Sequence, residues 1–196
     1  MGHTTHYSRP YQTLAAQIED GAIGTPGFVK TYRGEALGTG KDIIFDVLIH
    51  DFDWLASILG PPKTIFCQCL GTQNDRPIDY AMATLTFSSG AIAQTVGSLA
   101  RPSGCRRAME IVGDTGLIRY DSDETPIQVT RYSDGATDTF NPLLDDPLQQ
   151  EWHDFMALIE NDTEPKATLS SAVEAVRVAE AALRSIETST PQRLDG

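Results

Sequence analysis

The chain has 196 residues, the length of one domain or of one domain with a small appendage. Apolar residues make up 40% and charged residues 21%, an ordinary globular balance. The net charge of −12 argues against a nucleic-acid binder and against docking on anionic lipid, and no apolar run approaches the ~20 residues of a membrane span.

Taken in order, residues 10–20 (PYQTLAAQIED) predict a first helix, with Pro10 in its opening turn and Gly21 at its end. GAIGTPG is a turn cluster, and residues 28–36 read as extended. A loop, GEALGTGKD, leads into an apolar helix over 43–59 that stops at Gly60-Pro61-Pro62. Residues 64–70 form a β-rich run. Hairpins follow around Ser88-Ser89-Gly90, Asp114-Thr115-Gly116 and Asp134-Gly135. Two packing helices close the chain. One runs from about 147 to 159, with Trp152, Phe155, Met156 and Ile159; the other, Ala-rich, covers about 169–186. This order predicts one α+β domain over residues 1–196: a large, mostly antiparallel open-faced sheet with helices on one face. The open face is expected to pair with another copy of the chain, giving a homo-oligomer.

Cys67, Cys69 and Cys105 are an odd number with no disulfide framework, which suits a reducing cytoplasm. No signal peptide is expected from the opening residues. Cys67 and Cys69 fall on one face of a strand and read as packing residues. His3 and His6 are too sparse for a purification tag.

The chemistry concentrates in IIFDVLIHDFDWLASIL (43–59). At about 100° per residue, Asp46, His50, Asp53 and Ser57 share one narrow stripe of a helix that is otherwise apolar, and Asp42 falls on the same line. A carboxylate and an imidazole on a largely buried helix must be paired, hydrated or facing a cavity. That arrangement suits general acid/base work. A thin solvated strip would show the same spacing, but the Lys, Glu and Arg of an exposed face are missing. Asp53 is expected to make a structural hydrogen bond.

Other motifs fail. Gly38-Thr39-Gly40 precedes a helix, but Ile43 stands where a dinucleotide-binding loop has its third glycine, and no strand–loop–helix–strand crossover surrounds it. A metal-dependent hydrolase using His50 with acidic neighbours is poorly supported, because Asp51 sits about 140° round the helix from Asp46. Gly104-Cys105-Arg106-Arg107 reads as a solvated basic turn. Lys30 and Arg33 lie near the end of the first strand, where a polar substrate-binding rim and an ordinary surface strand end are both open readings.

The order of elements and their motifs resembles the C-terminal domain of the Gfo/Idh/MocA oxidoreductases, which include glucose-fructose oxidoreductase and inositol dehydrogenase. The most specific piece is Asp46-Val-Leu-Ile-His50-Asp51-Phe-Asp53-Trp54-Leu55, similar to the family's D-x-x-x-H-D-x-D-x-L helix. EDGAIGTPG, Ser89-Gly90 and GDTG agree in order. The resemblance implies a catalytic histidine at His50, accepting or donating the proton of a substrate hydroxyl as hydride moves to a nicotinamide. It implies an aspartate at Asp46 that orients substrate or tunes the imidazole. Titration near neutrality is expected of such a histidine. The implied substrate is a sugar, cyclitol or related polyol.

Two departures accompany the resemblance. Lys41-Asp42 replaces the family's common Gly-Gly. The Rossmann domain that carries NAD or NADP, with the family's catalytic lysine, has no counterpart here. The chain alone is therefore expected to bind no cofactor and to be inactive, as a fragment or an isolated domain. A non-catalytic binding or assembly module is the alternative. Tyr7 and His6 fall where the family often has Phe and Arg.

Overall fold

The structure is a computed structural model that describes residues 2–36, 40–70, 80–123, 125–142, 146–161 and 165–194. Gly38 and Thr39 of the failed loop motif lie outside the described residues. A short 3-10 turn, Thr4–Tyr7, precedes α1 (Arg9–Glu19) and β1 (Pro26–Ala36). A π-helical turn, Ile43–Leu48, runs directly into α2 (Ile49–Leu59). Then come β2 (Pro62–Leu70), β3 (Tyr80–Phe87), β4 (Ile92–Arg101), β5 (Arg106–Gly113), β6 (Gly116–Asp121), β7 (Thr125–Arg131) and β8 (Thr137–Phe140). Helices α3 (Pro147–Asn161) and α4 (Leu169–Thr188) and a two-residue strand, β9 (Gln192–Arg193), complete the order.

The strands form one sheet in the order β8-β7-β6-β5-β1-β4-β3-β2-β9, so the expected α+β class is observed. The three hairpins read from the sequence leave the β4–β5 junction open, and β1 comes between these two strands. It pairs parallel with β4 (Lys30 beside Gln94) and antiparallel with β5 (Lys30 opposite Glu110). Turn signals report neighbours joined by tight turns; they carry no information on a strand brought in from far along the chain.

Two sequence motifs lock together at one end of β1. Thr25 N–H donates to Asp114 Oδ1 at 2.9 Å, and Thr115 N–H donates to the Ile23 carbonyl at 3.1 Å. Gly24 makes this possible with φ at +68°, and a Cβ there would stand 1.8 Å from Asp114 Oδ1.

Alternation along β1 sets the two faces of the sheet. Val29, Thr31, Arg33 and Glu35 are buried towards the helices, and Lys30 is exposed on the opposite face. α4 lays Ala172, Ala175, Val178, Ala179 and Ala182 into the core, and its Ser185 hydroxyl accepts the Cys67 N–H at 2.9 Å. The π turn sits on β4 at Gly97, where a Cβ would come within 3.1 Å of Ile43 and Leu48.

α3 departs from the packing role expected of it. None of its residues is buried, and Leu148, Trp152, Phe155, Met156 and Ile159 are each at least half exposed. Its spacing is helical, but among the described residues no element covers the stripe. The helix is tethered by Asp154, which accepts the Tyr7 hydroxyl at 3.0 Å and lies 3.7 Å from Lys166 Nζ.

Candidate active site

The helix that carries the site begins with a cap built from its own acids. Asp42 Oδ1 accepts the N–H groups of Ile44 and Phe45, each at 2.8 Å. Asp46 Oδ2 accepts the Asp42 N–H at 2.7 Å, returning the bond. The first turns are then wider than an α-helix, with the Ile49 N–H bonded to the Ile44 carbonyl five residues back. The even 100° stripe therefore does not run through the helix. Asp46 is exposed and turned to the cap, and it makes no hydrogen bond with His50.

His50, on the first turn of α2, is half-buried, and its Nδ1 is buried without a partner. Burial is the main cause that pushes its pKa down, and the Arg33 charge adds to it, to about 4. The expected near-neutral titration is thus corrected. The imidazole is neutral at pH 7 because a charged ring would lose its water and face a guanidinium.

Beside it, Asp51 and Arg33 form a buried ion pair. Arg33 Nη2 donates to Asp51 Oδ1 at 2.9 Å and Nε to Oδ2 at 3.2 Å. The same guanidinium donates to the Tyr11 hydroxyl at 2.9 Å and lies 5.7 Å from the centre of its ring. Thr95, itself bonded by Thr31, donates to Asp51 Oδ2 at 3.3 Å. Burial alone would lower the Arg33 pKa; the Asp51 charge, Tyr11 and the hydrogen bonds raise it, so the cation is permanent.

Next along β1, Glu35 accepts from Lys41 Nζ at 2.9 Å and from Arg107 Nη2. Burial raises the Glu35 pKa, and the bonds and charges of Lys41 and Arg107 more than reverse this. Lys41 and Arg107 thereby join the polar end of β1, and Arg107 is fixed there, not solvated in a loose turn.

Lys30 and Arg33 are not brought together. Arg33 faces the helices, near His50, and Lys30 lies on the open face, beside a concavity of about 340 Å³ that Glu110, Arg119, Asp121 and Gln128 also line. Strand parity separates them, since three residues apart means opposite faces.

Asp53 makes the structural bonds expected of it, to partners that composition did not single out. His6 Nε2 lies 2.6 Å from Asp53 Oδ2 in a hydrogen bond, and His3 Nδ1 lies 2.8 Å from the same oxygen, off the hydrogen-bond line. Burial would raise the Asp53 pKa, but the two imidazoles hold it down at about 2. The His3 ring meets His50 edge-on, with centroids 6.1 Å apart. Two histidines three residues apart, on one side of a turn, were the signal available for this cluster. Ser57, last on the predicted stripe, only donates to the Trp54 carbonyl at 2.7 Å.

Among the described residues, no group of three or more His, Cys, Asp or Glu side chains could hold a metal ion. His3 and His6 close on one carboxylate oxygen, and Asp51 is engaged by Arg33. Among the described residues, the start of the site helix does not offer its amides to a dinucleotide. Ile43 is buried in the core, and the Asp42 carboxylate occupies the helix-start amides that a pyrophosphate would need.

Residues 11–119 match the model of the GFO/IDH/MocA C-terminal domain. The chain is 25% identical to the uncharacterized oxidoreductase YrbE of Bacillus subtilis, in an alignment of 100% of this chain and 62% of that protein. It is 28% identical to the myo-inositol 2-dehydrogenase of Thermotoga maritima over 66% of this chain and 43% of that enzyme. An oxidoreductase from Agrobacterium radiobacter, solved with NAD+, L-tartaric acid and magnesium, superimposes with a TM-score of 0.80 at 20% identity. That match covers 98% of this chain and 64% of the other. The chain therefore spans less than two thirds of the length of each of these proteins.

Proposed function

The chain belongs to the GFO/IDH/MocA C-terminal domain family, and from that premise we propose that it is the substrate-binding domain of an NAD(P)-dependent dehydrogenase of a sugar, cyclitol or related polyol. The observation that carries this reading is His50. It is a neutral imidazole with a buried, unpartnered nitrogen, set on a rigid helix beside a permanent guanidinium. A neutral imidazole can accept the proton of a substrate hydroxyl. Arg33 and Arg107 add positive charge where an alkoxide would develop. Asp46, at the exposed helix start, is assigned to orienting the substrate. Arg33 acts on the site through Asp51 and the His50 environment. Lys30 belongs to the opposite face and is assigned away from the substrate.

The cofactor, NAD or NADP, falls to a separate nucleotide-binding domain, in keeping with the NAD+ bound to the Agrobacterium protein. On this reading the chain alone binds no cofactor and turns over nothing. The open face of the sheet is assigned to a homo-oligomer contact, and the three unpaired cysteines favour the cytoplasm. The exposed apolar stripe of α3, close to Gly2, favours a second reading, an assembly module without catalysis.

The test joins this chain to a nucleotide-binding domain of the family and screens myo-inositol and other polyols for NAD(P)+ reduction. Turnover is expected, with His50→Ala reducing kcat by about 10²–10⁴-fold. Activity unchanged in His50→Ala overturns the role of the histidine. Absence of turnover on every polyol, in a fusion that binds NAD(P)+, favours the assembly reading.

A further inference from the structure

Leu148, Trp152, Phe155, Met156 and Ile159 share one face of α3 at helical spacing, each at least half exposed. Trp152, 60% exposed, stands edge-on to Phe155 with ring centres 6.0 Å apart, and two concavities of about 430 and 290 Å³ flank it. An exposed apolar patch with large aromatic side chains at its centre marks a surface that another body covers. The charges beside it restrict which body. α3 carries Glu151, Asp154 and Glu160 and no Lys or Arg. A helix without basic residues does not suit an anionic lipid surface. Two copies laid α3 against α3 would set acid against acid, in a chain already at −12. The face fits a protein surface whose apolar groove has a basic rim.

Its place in the fold decides the occupant. α3 and α2 pack on the same amino-terminal turn, Thr4–Tyr7. Towards α3, the Tyr7 hydroxyl donates to Asp154, and the Tyr7 ring lies 5.7 Å from Lys166 Nζ. Towards α2, His6 bonds Asp53, and the His3 ring meets that of His50 edge-on. A body seated on α3 is thus separated from His50 by one short turn of chain. The relatives supply the size of that body. More than a third of YrbE and of the Agrobacterium protein lies outside the match to this chain, enough for a further domain. We propose that the apolar face of α3 is the seat of the nucleotide-binding domain, with Trp152 and Phe155 as its anchors. The inference rests on the reading that such a domain carries the cofactor. Hydride passes between a nicotinamide and a substrate held at His50 only when the two are in contact, so that domain needs a fixed seat on this side of the chain. Aromatic anchors suit a fixed seat, because they bury a large area and lose little rotamer freedom. The open face of the sheet stays available to a second copy.

The test is amide hydrogen exchange over α3, read by mass spectrometry in the full chain alone and in the chain joined to a nucleotide-binding domain of the family. Exchange in α3 is expected to slow by about tenfold or more in the joined protein, because a covered helix opens less often. Trp152→Lys with Phe155→Lys is expected to abolish the difference between the joined and the separate chain. Tyr132→Lys, which replaces a half-exposed aromatic in the β7–β8 turn, is expected to leave it in place. α3 exchanging as fast joined as alone overturns the seat, and so does slowing that both lysines leave intact. A dimer of the chain alone that Trp152→Lys with Phe155→Lys dissociates overturns it in favour of a second copy. The comparison of the unsubstituted chain alone and joined depends on no variant folding. Slowed exchange without polyol turnover overturns the substrate reading alone; turnover with α3 exchanging freely overturns this inference alone.

Discussion

Protonating His50 costs the folded chain what it does not cost the unfolded one. The ordinary imidazole value of 6.5 is pushed down to about 4 in the fold, so between those values the unfolded state holds more protons. Stability therefore falls as pH drops through that window. The expected loss between pH 6.5 and pH 4 is about 2 to 3 kcal/mol, read from urea unfolding at stepped pH. His50→Gln should flatten that limb, and a wild-type profile already flat there would refute the burial argument. Asp53 acts lower. Its carboxyl is held at about 2 against an ordinary 3.8, so its contribution is full above 3.8 and is lost as pH falls towards 2. His50 and Asp53 were legible from spacing on an apolar helix. Their partners were not, because His3, His6 and Arg33 come from other elements and only packing brings them near.

Among the elements, the turn before β1 and the turn before β6 act as one clasp. Gly24→Ala puts an alanine at φ +68° with its Cβ on Asp114. The expected cost is more than about 1 kcal/mol in thermal or urea unfolding. Gly27→Ala, whose Cβ meets nothing within 4 Å, is the control and should cost nothing measurable. GAIGTPG and GDTG were each readable as turns; that they bond to each other was not, since they lie about ninety positions apart. The site helix shows the same division. Its apolar run and its Gly60 stop were plain in the sequence. The π turn was not, because it follows from the Asp42–Asp46 cap and from the seat of Ile43 and Leu48 on Gly97. α3 is the opposite case: a clear amphipathic pattern that no described residues cover.

At the scale of the whole molecule, a sheet covered on one side leaves the other to be explained. Tyr80, Met82 and Ile92 stand exposed on strands β3 and β4. Across the middle of the sheet Lys30, Glu110, Arg119 and Gln128 form one cross-strand row. Opposite charges in a row can meet their mates on a second copy related by a twofold axis. Light scattering after size exclusion should give a dimer, and Met82→Lys with Ile92→Lys should give a monomer of unchanged circular dichroism. A wild-type monomer at about 10 μM would remove the sheet face from the proposed oligomer.

By itself the sequence determined the α+β class, the strand and helix order and the concentration of chemistry between residues 42 and 57, because period, turn residues and caps are local properties of the chain. Only the tertiary structure decided that β1 lies inside the sheet, that Arg33 and Lys30 face opposite sides, and that the amino-terminal histidines close on Asp53 beside His50. Those facts depend on which distant segments share a low-dielectric interior, where each buried charge must find a partner. No local pattern specifies that partner.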